Sequence, residues 1–453
     1  MTDVDPTRRA FLLAAGTSIG LVGAFAADGG PDVPDVSYDR GALREVARLG
    51  VPSVPTVGVV PVAPAHLAMH RNRAESLLES APADLGVPNE AVAREYARRR
   101  EDAVESLVEA DRAATPVATL DDLRWARHRA ADAATVAAAV DSNRSREWVR
   151  DRRAAVRADL RAFRDRWRYV GDDPAGALAV HAELESLAGH AGTMLDQAAD
   201  LRETDGSPSL RLGSRASDVE LARALVTDAA YTYDRHRDAL EDARPLRDAF
   251  DRALAVLATD VTARCPARPD EGFDSRVDRE PRASAGRPLL REAFSEARRR
   301  CRRVGDGSVR ENAGVATALV AAGAADRDRR ALEQVSAAVS GGAYGVPRSA
   351  ARPRREKLTA LEAVATARDA APTPLSAGWV RTAARYVDWG DHALVDTLER
   401  DRPLVSAVAD AVAEYAWGRA VAAATPDALS RLVGAVDAAA APADRASVSR
   451  LRA

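Results

Sequence analysis

Two of the seven histidines, His66 and His70, stand four residues apart. On a helix that spacing puts both imidazoles on one face, as a zinc-type pair requires. No glutamate lies between them as in a metalloprotease helix, and the sequence identifies no third ligand. His181 and Glu185 share a helical face in the same way, and His190 falls about half a turn away. Di-metal sites in bundles use Glu-x-x-His pairs, which this stretch lacks, so it reads as a flanking ion pair. His236 lies on an apolar seam and reads as a hydrogen-bonded core histidine. The segment with Trp379, Tyr386, Asp388, Trp389, Asp391 and His392, followed by Tyr415 and Trp417, concentrates aromatics in a chain that is only 4% aromatic. Aromatic walls with a few acids suit a small polar ligand, and equally the core of a small domain.

Two cysteines, Cys265 and Cys301, are the whole thiol inventory. A bond between them would close a loop of about 37 residues, worth roughly 3 to 4 kcal/mol in the chain-entropy model. Cys301 lies within Arg298-Arg299-Arg300-Cys301-Arg302-Arg303, where cations are expected to favour thiolate. No base stands nearby in sequence, which favours the disulfide over a catalytic thiol. From Arg144 to Arg168 the chain carries ten arginines and four acids. That face is a candidate surface for envelope proteins or acidic polymers, or a solvated face paired with acidic neighbours. No Gly-x-Ser-x-Gly elbow, Cys-x-x-Cys pattern or dinucleotide fingerprint occurs.

The elements that must position these residues are helices. The 453 residues suffice for two or three cores. Sixty-five basic residues against 68 acidic ones give a net charge of −3, which argues against a nucleic-acid binder. Lys357 is the only lysine in this arginine-rich, alanine-rich chain. Alanine, leucine, arginine and glutamate favour an all-α class. From 65 to 260 apolar residues recur at spacings of four and three, as in Leu123, Ala126, Ala130, Ala133, Ala137 and Val140. Short breaks at Thr115-Pro116, Ser142-Asn143, Gly171 to Pro174 and Asp205 to Pro208 separate the runs. The pattern predicts an antiparallel up-and-down helical bundle of long, heptad-patterned helices. Its last seam runs from Val219 to Leu257, with Pro245 expected to kink one continuous helix. Residues 28–64 read as a linker and a proline-rich extended segment, and 261–288 as a loop or linker. Residues 289–453 read as a second domain of shorter helices, including 309–323, 326–340, 402–422 and 426–452. A break at Gly341 to Pro347 matches no phosphate-binding loop.

At the N-terminus, Thr7-Arg8-Arg9-Ala10-Phe11-Leu12-Leu13 runs into a weakly apolar stretch ending near Ala27. It resembles a twin-arginine (Tat) export signal, with Arg8, Arg9 and Phe11 carrying the resemblance. That resemblance implies the Tat machinery as a partner, export after folding, and an extracytoplasmic mature chain that is secreted or associated with the envelope. Residues 1–27 are then a signal, and the stretch is too short for a comfortable span. The leading expectation is an exported, non-enzymatic helical protein of the cell envelope, acting as a scaffold or binding module. The alternatives are an extracytoplasmic metal- or small-solute-binding protein, and a helical enzyme whose site converges only in three dimensions.

Overall fold

Caps written into the sequence start six of the helices. Thr115, Asp173 and Thr373 each precede a proline at the first helical position and accept a backbone N–H through their side chains. Thr373 and Ser376 complete a reciprocal capping box. Asp39, Asn89 and Ser145 cap three further helices. The computed structural model describes residues 36–141, 143–199, 207–266, 277–278, 280–370 and 373–441. Arg8, Arg9, Phe11 and the start of the linker lie outside them.

The described residues form an all-α protein with fourteen helices in two sets. The first set is α1 (Arg40–Arg48), α2 (Pro64–Glu79), α3 (Glu90–Arg112), α4 (Pro116–Val140), α5 (Arg146–Arg166), α6 (Pro174–Gln197) and α7 (Pro208–Asp238). The second is α8 (Arg247–Ala263), α9 (Gly286–Gly305), α10 (Ser308–Asn312), α11 (Val315–Ser340), α12 (Ala351–Ala370), α13 (Pro374–Leu398) and α14 (Val405–Ala440). Two two-residue strands, β1 (Val170–Gly171) and β2 (Arg244–Pro245), pair antiparallel with Val170 opposite Pro245.

Chain order does not dictate every neighbour. Helix α4 lies between α3, α2 and α7, while α5 packs on α7 and α6. Alanines at 126, 130, 133 and 137 on α4 and 222, 224 and 229 on α7 are buried, and such small side chains let helix axes approach closely. Leu77, Tyr96, Ala130 and Val136 share one core of this set; Val156, Leu160, Leu184, Leu225 and Tyr233 share another.

Three expectations are corrected. Pro245 does not kink a helix: it sits in β2, and the seam from Val219 to Leu257 is split between α7 and α8. Proline has no N–H for an interior helical bond, so the chain turns there and pairs with β1. Helix α8, which the sequence pattern groups with residues 65–260, packs on α9, α11 and α14 through Phe250, Leu254 and Leu257. The second set also holds long helices: 315–340 is continuous, and 405–440 runs straight through Pro426. Burial of Ala424, Ala428, Leu429 and Leu432 around that proline outweighs the one lost backbone bond.

Helix α6 belongs to both sets, giving Leu184 and Leu187 to one core and Ala177 and Leu178 to the other. Its Glu185 carboxylate accepts from the Ala316 and Thr317 amides at 3.0 and 2.6 Å, capping the N-terminus of α11. Gly314 precedes that helix with φ 123°, and a Cβ there would collide with Glu185. No helix among the described residues is long and apolar enough to cross a membrane.

Candidate functional site

Where α2, α4 and α7 meet, charged side chains replace the alanine packing. Helix α2 brings His66 and His70 inward, α7 brings Asp228 and Glu220, two turns apart on one face, and α4 brings Arg124 and Arg127. Asp228 Oδ1 accepts from His66 Nε2 at 2.7 Å and from His70 Nε2 at 2.8 Å. Arg124 Nε donates to Asp228 Oδ2 at 2.5 Å, and its Nη1 donates to Asp121 at 2.5 Å. On the other side of His70, Arg127 Nη1 donates to Nδ1 at 3.0 Å and Nη2 to Glu220 Oε1 at 2.6 Å. Arg73 adds a two-pronged pair to Glu220 at 3.1 and 3.0 Å. His66 also stacks on Tyr231, ring centroids 3.9 Å apart. His70 is fully buried and Asp228 is 1% exposed.

These contacts fix protonation. A guanidinium can only donate, so His70 Nδ1 must carry a lone pair and its proton sits on Nε2, directed at Asp228. Burial lowers the His70 pKa against the opposing pull of Asp228, so the ring is neutral. Burial alone would raise the Asp228 carboxyl; Arg124 and the two histidine bonds reverse that and hold it well below the usual carboxylate range. Glu220 follows the same pattern, with Arg73 and Arg127 outweighing burial.

The potential ligand atoms of His66, His70 and Asp228 lie within 4.8 Å of one another, so the structure supplies the third residue that sequence left open. The donor chemistry is nevertheless that of a hydrogen-bonded hub. Asp228 Oδ1 stands between the two Nε2 atoms, where a cation would have to sit. A metal on His70 Nε2 would move the proton to Nδ1, opposite the Arg127 N–H, and place two donors face to face. A divalent cation would also meet Arg124 and Arg127 at close range.

Glu220 and Arg73 lead from this hub into a cleft of about 590 Å³ between α2, α4, α5 and α7. Arg73, Arg144, Arg152, Arg223, Thr135 and Trp148 stand on its walls. Arg144 and Arg152 flank the Trp148 ring from 4.3 and 4.5 Å. Among the described residues no carboxylate lies within ion-pair distance of Arg144, Arg152 or Arg223. Burial, then neighbouring arginines, depress the pKa of Arg144 and Arg152. The acids on the walls are Glu220, already held by two arginines, and the exposed Asp151 and Asp159. Other arginines of the 144–168 run are occupied elsewhere: Arg153 on the Leu195 carbonyl, Arg157 on Asp196, Arg164 on the Ala188 carbonyl and Arg166 on Asp234.

The remaining sequence candidates disperse. His181 accepts from Trp167 Nε1 at 3.0 Å and, protonated on Nε2, donates to the Val170 carbonyl at 3.0 Å. His236 Nε2 reaches the same carbonyl at 2.8 Å. His190 lies half-buried near Arg124 and His128, away from both. The aromatic segment does not line one pocket. Trp379 is buried under Arg327, Tyr386 packs edge-on against Trp417, and Asp391 holds Lys357 and Tyr415. Trp389 is exposed, Asp388 is half-buried, and exposed His392 bonds the Asp388 carbonyl at 2.7 Å. Cys265 and Cys301 are neighbours in a small cluster with Val261 and Ala325, both as free thiols. Cys301 is 1% exposed and burial pushes its thiol up, so the surrounding arginine run does not make a thiolate there: those arginines point elsewhere, Arg299 to Glu296 and Arg300 to Asp328.

Two family models match the chain. One, a domain of unknown function (DUF8262), matches residues 65–242. The other, a domain of unknown function (DUF8264), matches residues 247–434. The interval between the matches holds β2. No curated protein and no solved structure matches.

Proposed function

We propose that the protein is an exported, non-enzymatic binding module whose first helical set holds an anionic ligand, such as a segment of an acidic envelope polymer, in the arginine cleft. The observation that carries this reading is the convergence of four guanidiniums on one 590 Å³ cleft, three of them without a carboxylate partner among the described residues. Arg144 donates to Thr135 Oγ1 at 3.0 Å but has no carboxylate counter-charge; guanidiniums in that state beside a tryptophan face suit planar, multivalent anions, which relieve their mutual repulsion. The Arg8-Arg9 resemblance supports an extracytoplasmic setting. Titration of the full chain with an oligogalacturonate, followed by Trp fluorescence, is expected to saturate and to weaken with added salt. Arg144→Gln and Arg152→Gln should each reduce affinity by about tenfold, and unchanged affinity in both would refute the reading. Replacing Arg8 and Arg9 together with lysine should abolish recovery of the chain outside the cell.

A second reading, metal binding, is favoured by the approach of His66, His70 and Asp228 to within 4.8 Å. Zinc added to the purified chain separates the two. A rise in melting temperature that is lost in His66→Gln supports the metal, and no rise supports the hub.

A further inference from the structure

Three of the helices around the arginine cleft line it on the same plan. On α2, Arg73 and Leu77 stand one turn apart; on α5, Val149, Arg152 and Val156 follow at spacings of three and four; on α7, Ala216, Val219 and Arg223 do the same. Each helix thus gives the cleft an apolar side chain and a guanidinium from one stripe. The apolar members form the floor: Leu77, Val149, Val156 and Val219 are buried, whereas Arg152 and Arg223 are exposed and stand at the rim. Leu77 and Ala131 belong to one core of the first set, and Val149, Val156, Ala216 and Val219 to another, so the cleft opens along the line where two cores meet. Small side chains at Ala131, Ala155 and Ala216 leave that line unfilled. Protein interiors are close-packed, and an apolar-floored gap of about 590 Å³ has the size of a small-molecule site.

The positive charges gather at one place over this floor. Arg144 and Arg152 flank Trp148, Arg152 lies near Arg73 and Arg223, and Arg144 lies near Arg73. Four guanidiniums stand against three wall carboxylates, Glu220, Asp151 and Asp159, which leaves one net positive charge for a ligand to neutralise. Glu220 takes no part in binding, because Arg73 and Arg127 already hold it. A hydrophilic anion would meet the guanidiniums but leave the floor against water. Removing apolar surface from water is a general source of affinity, and only a ligand that joins an anion to an apolar chain draws on both parts of the cleft. From Val149 to Val156 the floor runs for about 10 Å along α5.

We propose that the anion taken by this cleft is amphipathic, a long-chain carboxylate with its head among Arg144, Arg152 and Arg223 and its hydrocarbon chain along the floor of Leu77, Val149, Val156 and Val219. The proposal rests on the reading that the cleft binds an anion, and it adds the class of ligand. A planar carboxylate matches the guanidinium fork, and each methylene laid on the floor adds to affinity. The test is calorimetric titration of the full chain with butanoate, hexanoate, octanoate and decanoate below their micelle-forming concentrations, with oligogalacturonate and decanol alongside. Affinity is expected to rise about two- to fourfold per added methylene, and decanoate to bind more tightly than decanol. Arg152→Gln should weaken decanoate binding about tenfold and keep the dependence on chain length, while Arg161→Gln, on α5 but outside the cleft, changes neither. Circular dichroism confirms that the Arg152→Gln chain is folded; if it is not, Arg223→Gln on α7 takes its place, with the same weakening expected. Saturation by oligogalacturonate with no rise along the carboxylate series overturns this proposal and leaves the anion reading standing. Absence of binding by every probe removes both. Decanol binding as tightly as decanoate, or equal decanoate affinity in the variant, removes the carboxylate head and overturns the proposal.

Discussion

Replacing Asp228 with asparagine removes the one negative charge on which His66, His70 and Arg124 converge. The site is 1% exposed, so water cannot take over the lost interactions. An asparagine oxygen turned to the histidines leaves its NH₂ against Arg124 Nε, two donors in contact, and the guanidinium loses its buried counter-charge. Removing one partner of a buried ion pair costs about 3–5 kcal/mol, and the two neutral histidine bonds add about 1 kcal/mol each where they are weakened. Denaturant unfolding followed by Trp fluorescence should therefore show a loss of about 4 kcal/mol for Asp228→Asn. A double-mutant cycle with Arg124→Met isolates the pair: the arginine change should cost clearly less in the asparagine background. Because the Asp228 carboxyl is held low in the native state, its contribution is present above about pH 4 and is lost as pH falls below that value. A loss under about 1 kcal/mol, with additive single changes, would refute the view that Asp228 organises the hub.

His181 gives a second pH signature. Burial holds its pKa at about 4 against 6.5 for the free side chain, so the unfolded chain takes up the proton first. Its contribution is full above about pH 6.5 and falls by about 3 kcal/mol as pH drops toward 4; nuclear magnetic resonance titration of the His181 ring should show no protonation near pH 6. Lys357 is fully buried, with its ammonium on Asp391 at 2.6 Å and on the Val46 and Ala47 carbonyls at 2.9 and 3.3 Å, which ties the end of α1 to α12. Lys357→Met should cost about 3 kcal/mol, and Lys357→Arg should not rescue it because a planar guanidinium cannot replace a compact ammonium among those acceptors; hydrogen exchange across 40–48 is the readout. Mild oxidation should join Cys265 to Cys301, since they are neighbours in one cluster. Intact mass two hydrogens lower, with unfolding shifted up by roughly 3 kcal/mol, is the expected result.

The all-α class was legible because composition, caps and periodicity agree: Thr115-Pro116 and Thr373-Pro374 begin helices where local chemistry says they must. The spacing of His66 and His70 placed two imidazoles on one face, and the arginine run from 144 to 168 marked a charged helix; both follow from the 3.6-residue repeat alone. Residues 50–63, rich in proline, carry no regular element, as their prolines require. What sequence could not supply is which helices meet. Asp228 lies 158 residues from His70, and Glu220 lies 93 from Arg127; nothing in a local pattern links them. The one signal was a charge beside a seam, Arg127 after Ala126 and Asp228 before Ala229, and charges beside seams usually face solvent.

Tertiary packing decided the rest. It split the seam at Pro245 because a strand pair with Val170 stabilises the turn, and it carried α14 through Pro426 because apolar burial on both sides outweighs one backbone bond. It separated Trp379, Tyr386 and Asp391 onto different partners, and it silenced Cys301 by burying it while the neighbouring Arg299 and Arg300 turned to Glu296 and Asp328. Local sequence fixes what a residue can do within one or two turns of helix. Charge, protonation and ligand geometry depend on groups brought from far along the chain, and only the folded arrangement of α2, α4, α5 and α7 sets those.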